Sequence, residues 1–193
     1  GLPVERYERA DLEMIYWGIG AYMGQVISQN AMGDLIAEVT DKGASYDNAV
    51  NDRGYMSKDK LNPHVDTSDM TALLCLRTAG KGGVSSLTSS AAVYNEILSR
   101  RPDLLEVYYR GFHHDLRGEG PTGSFDEVTH NRIPVFSHHE GLLSCCYNDK
   151  IMRSAHDKIG QPLTDVEREA IDLLLEVAES PELRCDFELE VGD

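Results

Sequence analysis

Residues 61 to 90 read LNPHVDTSDMTALLCLRTAGKGGVSSLTSS. It opens on Pro63-His64-Val65-Asp66 and runs through the apolar segment Thr71 to Leu76. It turns at Gly82-Gly83 and ends in a small polar strand, Val84 to Ser90. Side chains alternate along an extended segment, so His64 and Asp66 are expected on one face. An imidazole beside a carboxylate supplies two members of the two-histidine, one-carboxylate set that holds a metal with positions left open. Spacing alone decides little. With 7 His and 33 Asp and Glu in 193 residues, chance gives about one His-x-acid triplet. There are three: His64/Asp66, His113/Asp115 and His138/Glu140. Only the first leads into a β-like run and a Gly-Gly turn. The second lies in a polar, Gly-rich stretch, and the third sits at a turn before Gly141.

Composition narrows the class. A chain of 193 residues with 41% hydrophobic and 26% charged residues suits one domain, 1–193, with a sizeable core. No run approaches the ~18 apolar residues of a membrane helix, and no basic-then-apolar leader is read at the start. The net charge of −15 argues against a nucleic-acid partner, which needs a cationic footprint. Cys75, Cys145, Cys146 and Cys185 show no Cys-x-x-Cys spacing for zinc. They are read as reduced thiols, Cys75 and Cys145 packing as small hydrophobes, and a cytoplasmic location is expected.

Outward from the central stretch, Leu12, Ile15, Tyr16, Ile19, Tyr22 and Met23 fall at helical spacing and predict a helix over 9–23 with those residues as its core side. Val26 to Asn30 reads as an extended exit and Leu35 to Val39 as a short strand. Asp41 to Lys60 is rich in Gly, Asn and Asp and reads as a loop that can contact substrate. Ser89 or Ser90 can cap a helix carrying Val93, Ile97 and Leu98. Pro102 breaks it, and a short helix follows through Tyr109. Phe112 to Leu116 has strand character. Ile133 to Ser137 and Leu142 to Tyr147 flank His139-Glu140-Gly141, a hairpin signal. Thr164 and Glu167 predict a capping box for a helix whose core stripe is Val166, Ala170, Ile171, Leu174 and Ala178. Phe187, Leu189 and Val191 alternate with acids, as in a half-buried strand.

The segment PHVDTSDMTALLCLRTAGKGGVSSLTSSAAVYNEILSRRPDLLE, with IYWGIG and SQN near the start, RIPVFSHHEGLLSC later and the closing Gly192-Asp193, closely resembles the TauD/TfdA-like dioxygenases of the clavaminate synthase-like group. The resemblance implies an α+β fold with a double-stranded β-helix (jelly-roll) core and flanking helices. It also implies Fe(II) and 2-oxoglutarate as cofactors, with decarboxylation of 2-oxoglutarate to succinate coupled to hydroxylation of a small organic substrate. Carried over by position, His64 and Asp66 are two iron ligands. Ser85, in the Gly-Gly-x-Ser/Thr position, is a hydroxyl donor to a carboxylate of 2-oxoglutarate. Gln29 and Asn30, in the Ser-Gln-Asn segment, are weaker substrate-side candidates, and side chains that bond their own loop backbone are the competing reading. Arg53 and Tyr55 are further candidates for an anionic substrate. The family's third ligand, a histidine, and an arginine that grips 2-oxoglutarate are expected after the Gly-Asp matched by Gly192-Asp193. On that reading the chain is an incomplete jelly-roll, short at both ends, with open edges that favour a homo-oligomer. Two alternatives stay open: a non-catalytic jelly-roll module that binds a partner, and a different metal site that recruits His113, His114, His138 or His139.

Overall fold

A computed structural model describes residues 1–41, 43 and 59–193. These fall into two compact units: Gly1–Ala37, Ser68–Leu87 and Asp186–Asp193 in the first, Glu38–Thr67 and Thr88–Cys185 in the second. The elements are α1 (Arg9–Met23), β1 (Val84–Thr88), α2 (Ser90–Arg100), α3 (Leu105–Arg110), β2 (Phe136–His139), β3 (Leu142–Cys145), α4 (Asp149–Lys158), α5 (Asp165–Ala178) and β4 (Arg184–Glu188). β1 pairs with β4 and β2 with β3. The described residues are therefore α+β with two small sheets and no closed barrel among them.

In the first unit α1 spans the predicted residues, but its expected core side is only partly covered. Leu12 is buried, whereas Ile19, Met23 and especially Tyr22 (95% exposed) face outward. Periodicity marks an apolar face; it does not say that anything covers it. The Tyr16 hydroxyl donates to the Ala72 carbonyl at 2.5 Å and ties α1 to the segment after Ser68. Two strand expectations fail here. Leu35 to Val39 is irregular, and so is Thr71 to Leu76. The latter keeps one strand-like exchange: Cys75 N–H donates to Asp193 O at 2.9 Å, and Gly192 N–H donates to Cys75 O at 2.8 Å. Phe187, expected half-buried, is 38% exposed on β4.

The second unit holds the main core. Ser89 caps α2 by accepting from Ala92 N–H, and Val93 and Ile97 face inward. Leu98 is 44% exposed, a correction to the expected stripe, because it lies one step past Ile97 around the helix. Pro102–Leu104 forms a single 3-10 turn that reverses the chain into α3. Gly111 ends α3 at φ +70°, where a Cβ would lie 1.9 Å from Ile133 O, so only glycine lets the two backbones meet. Phe112 and Ile133 then exchange backbone hydrogen bonds of 3.0 and 2.7 Å. β2 and β3 form the predicted hairpin, Phe136 opposite Cys145 and His139 opposite Leu142. Its two turn residues, Glu140 (φ 49°) and Gly141 (φ 81°), both take the left-handed region that a tight two-residue hairpin needs.

α5 covers this core with Ala170, Ile171, Leu173, Leu174, Val177 and Ala178. Each large apolar side chain so buried contributes roughly 1.5–3 kcal/mol. Val166, expected in the stripe, is 49% exposed. Two buried tyrosines pin the helix from below: Tyr108 donates to Ala170 O at 2.6 Å and Tyr147 to Ile171 O at 3.0 Å. Burial pushes both phenols upward in pKa, so they stay protonated donors. The helix start is fixed by the predicted capping box. Thr164 Oγ1 accepts from Glu167 N–H at 3.3 Å, and Glu167 Oε2 accepts from Thr164 N–H at 2.9 Å. The other oxygen of Glu167 pairs with Arg132 at 2.7 Å, and that guanidinium also donates to Gly111 O at 2.9 Å. One carboxylate thus joins the start of α5 to the turn after α3.

Burial works against the charge of Glu167. The Thr164 N–H and the Arg132 guanidinium more than offset it and hold the carboxyl at about 2, against an ordinary 4.5. Its stabilisation is complete above about pH 4.5 and is lost as the pH falls toward about 2. Glu167→Gln keeps a capping acceptor but leaves Arg132 uncompensated. It should lower unfolding stability by about 2 kcal/mol at pH 7. Urea unfolding at pH 7 and pH 3 should show the difference between the two proteins shrinking in acid.

Candidate metal centre

The segment 60–66 is irregular backbone held at three points on the second unit. Lys60 Nζ pairs with Glu179 Oε1 at 2.5 Å, beyond the end of α5. Asn62 Nδ2 donates to Asp149 Oδ2 at 3.0 Å, at the first residue of α4. Val65 N–H donates to the Tyr147 carbonyl at 2.8 Å. His64 lies between the last two anchors. Its Nδ1 is 2.8 Å from the main-chain oxygen of Asn62. A carbonyl only accepts, so Nδ1 carries the hydrogen, and in that tautomer the lone pair is on Nε2. Nε2 lies 3.6 Å from Asp66 Oδ1, the two side chains being 29% and 51% exposed. That is too long for a hydrogen bond. It is within the reach of one cation touching both atoms, since two bonds of about 2.1 Å span up to about 4.2 Å. The pair therefore fits a metal by donor type, tautomer and separation. The pair stands as two candidate donors: among the described residues no group of three or more His, Cys, Asp or Glu is arranged to hold a metal ion.

The other two triplets put their acids to different uses. Asp115 is buried and accepts from Lys158 Nζ and from Ser154 Oγ at 2.8 and 2.6 Å, and from Arg117 N–H at 3.0 Å. Burial opposes its ionisation, and these donors outweigh it and keep its pKa low. Its role is to tie the 117–131 loop to α4. His113 bonds Thr129 O through Nδ1 at 2.9 Å. Glu140 stands in the hairpin turn, 83% exposed. His138 is stacked edge-on against Tyr94, ring centroids 5.3 Å apart. None of His113, His114, His138 or His139 joins a metal-holding group among the described residues, which leaves the recruited-ligand alternative without support.

Gln29 Nε2 donates to Ile27 O at 3.0 Å. Asn30 Oδ1 accepts from Met32 N–H at 2.9 Å and its Nδ2 donates to Asp34 Oδ2 at 2.8 Å. Both side chains thus bond their own loop. Ser85 is half-buried on β1, on the face opposite Ser86, whose hydroxyl donates to Asp186 Oδ1 at 2.6 Å. Gln29, Asn30 and Ser85 belong to the first unit and His64 and Asp66 to the second. Arg53 and Tyr55 lie outside the described residues. A cleft of about 670 Å³ lies elsewhere, lined by Arg100, Arg101, Arg168 and the acids that pair with them. Arg100 meets Glu176 at 2.7 Å, Arg101 meets Glu169 and Arg168 meets Asp165. It is a surface ion-pair network rather than a site. Sequence reasoning missed Asn62, Tyr147 and Asp149. Asn62 and Asp149 are 87 residues apart, and no local pattern joins them.

All 193 residues match the model of the family described as taurine catabolism dioxygenase TauD, TfdA family, and the chain belongs to that family. It is 35% identical over 197 residues to FR-33289 synthase of Streptomyces rubellomurinus, a match that takes in 100% of this chain and 56% of that protein. It is 29% identical over 205 residues to a taurine hydroxylase-like protein of Stachybotrys chartarum, covering 100% of this chain and 50% of that one. The chain spans about half the length of the curated relatives it matches. Family members generally depend on Fe(II) and 2-oxoglutarate. No described helix is long and apolar enough to cross a membrane.

His114 gives this unit an acid response. It is 5% exposed, and its Nε2 is buried without a partner among the described residues. Burial first, and the neighbouring His113 second, push its pKa down from 6.5 to about 4. Between those values the unfolded chain binds a proton that the folded chain refuses, so stability falls as the pH drops through that window. His114→Leu should flatten the dependence. Urea midpoints at pH 7 and pH 4.5 should differ clearly less in the variant than in the parent.

Proposed function

We propose that this chain carries part of the active site of an Fe(II)- and 2-oxoglutarate-dependent dioxygenase that hydroxylates a small organic substrate. The observation that carries the reading is the imidazole of His64: Nδ1–H engaged by Asn62 O and Nε2 turned to Asp66 Oδ1 at 3.6 Å. His64 offers a neutral nitrogen and Asp66 an anionic oxygen, the mixed donor set that suits Fe(II) and leaves positions open. When bound, Fe(II) with 2-oxoglutarate supplies the oxygen-activating chemistry, in which decarboxylation to succinate accompanies oxidation of the substrate. Ser85 donates its hydroxyl to a carboxylate of 2-oxoglutarate in this reading. Gln29, Asn30, Arg53 and Tyr55 are proposed to contact substrate. A jelly-roll core, one domain over 1–193 and a cytoplasmic location are the matching structural and cellular expectations. The names of the relatives, a synthase and a taurine hydroxylase-like protein, agree with a small-molecule substrate.

The test is an anaerobic titration with Fe(II) and 2-oxoglutarate, followed by the visible charge-transfer band of the chelate and by NMR of the histidine rings. Fe(II) should perturb the His64 ring signals before those of the other histidines. His64→Ala should weaken cation binding at least tenfold. A cation that leaves His64 untouched, or that binds His64→Ala as tightly as the parent, would sink the metal reading and move a non-catalytic binding module ahead of it.

A further inference from the structure

We infer that Asn62 and Asp149 form a positioning pair for the candidate donors His64 and Asp66, an inference that rests on the proposed role of His64. Asn62 works in two directions. Its side-chain Nδ2–H donates to Asp149 Oδ2 at 3.0 Å, and its main-chain oxygen accepts Nδ1–H of His64 at 2.8 Å. Asp149 is 6% exposed and opens α4, whose N-cap Asn148 accepts from Ile151 N–H at 3.3 Å. A buried carboxyl on a capped helix is a fixed point. The second anchor, Val65 N–H to Tyr147 O, lies on the other side of His64. The histidine is bracketed at 62 and 65 by bonds to 149 and 147.

The bracket matters because nothing in an exposed loop otherwise restrains an imidazole. An unanchored His turns about χ1 and χ2 and exchanges its hydrogen between the two ring nitrogens. A ligating His needs its second nitrogen committed to an outer partner, which sets the tautomer and the ring plane. Here that partner is a peptide carbonyl, and a carbonyl holds only as well as its own residue is held. The chain from Asp149 carboxylate through Asn62 amide and Asn62 carbonyl to His64 Nδ1–H therefore presents Nε2 to a cation. Neither Asn62 nor Asp149 touches the metal or the substrate in this role.

Two cuts in the link test it. Asn62→Ala removes the donor, and Asn62→Asp sets a second carboxylate against Asp149. Asp149→Asn keeps an acceptor oxygen and serves as the conservative rescue. Two readouts are taken on proteins shown to be folded by circular dichroism: the tautomer of His64 without metal, from long-range ¹H–¹⁵N NMR, and the affinity for Co(II) as an Fe(II) probe. The parent and Asp149→Asn should show His64 protonated on Nδ1 alone. Both Asn62 variants should show mixed tautomers and a roughly tenfold weaker Co(II) affinity. A folded Asn62→Ala or Asn62→Asp with an unchanged tautomer and unchanged affinity overturns the inference and leaves the metal reading standing. Conversely, a parent that binds no Co(II) while its Asn62 variants still scramble the tautomer sinks the metal reading and leaves the link intact.

Discussion

Tyr147 is the residue on which the second unit turns, because it faces the core with one end and the candidate site with the other. Its ring is buried, and its hydroxyl donates to Ile171 O inside α5. A helical carbonyl has a second lone pair, so it can take this bond and still accept within the helix. The main-chain oxygen of the same residue accepts from Val65, next to His64. Core packing and site geometry are thereby mechanically joined through one side chain and one peptide group. Loosening α5 would shift the carbonyl that holds Val65, and with it the ring one residue away.

Electrostatics in this unit are local rather than global. The chain carries a net charge of −15, yet the charges that shape structure are a few buried carboxylates with named donors. Glu167 is held by Thr164 and Arg132, Asp115 by Lys158 and Ser154, and Asp149 by Asn62. Each satisfies the rule that a buried charge must be paired or hydrogen-bonded. The acid of the His64/Asp66 triplet differs from that of His113/Asp115 in exposure: Asp66 is half-exposed beside an imidazole lone pair, and Asp115 is sealed in a structural network. The same three-letter spacing thus serves a candidate site in one place and a loop anchor in the other.

Where local chemistry suffices, the sequence was legible. The Thr164/Glu167 box, the Ser89 cap, the break at Pro102 and the Glu140-Gly141 turn each need only neighbours within a few residues. α4 was missed although its signal is present: Asn148 as cap, then Ile151, Met152 and Ala155 at helical spacing. Its many charges hide that stripe, because its apolar face is narrow. Leu35 to Val39 and Thr71 to Leu76 have strand composition without forming regular strands, since a strand exists only when another segment pairs with it. Val166 and Leu98 show the same limit at single positions, apolar residues on helix faces left exposed among the described residues.

Motifs spread over 193 residues carry the family, and the residue types and spacing of the candidate donors His64 and Asp66 are legible in them. The sequence by itself also determined the helix boundaries that caps and glycines write locally. Tertiary structure alone decided which nitrogen of His64 is free, because that depends on the Asn62 carbonyl and on where Asp149 holds its side chain. It alone decided that Asp115 sits in a buried hydrogen-bond network and that Tyr147 links the core to the candidate site. The physical reason is range. Capping and turn chemistry act across three or four residues, whereas a hydrogen bond between residues 62 and 149 exists only after the chain has folded back across the 87 positions that separate them.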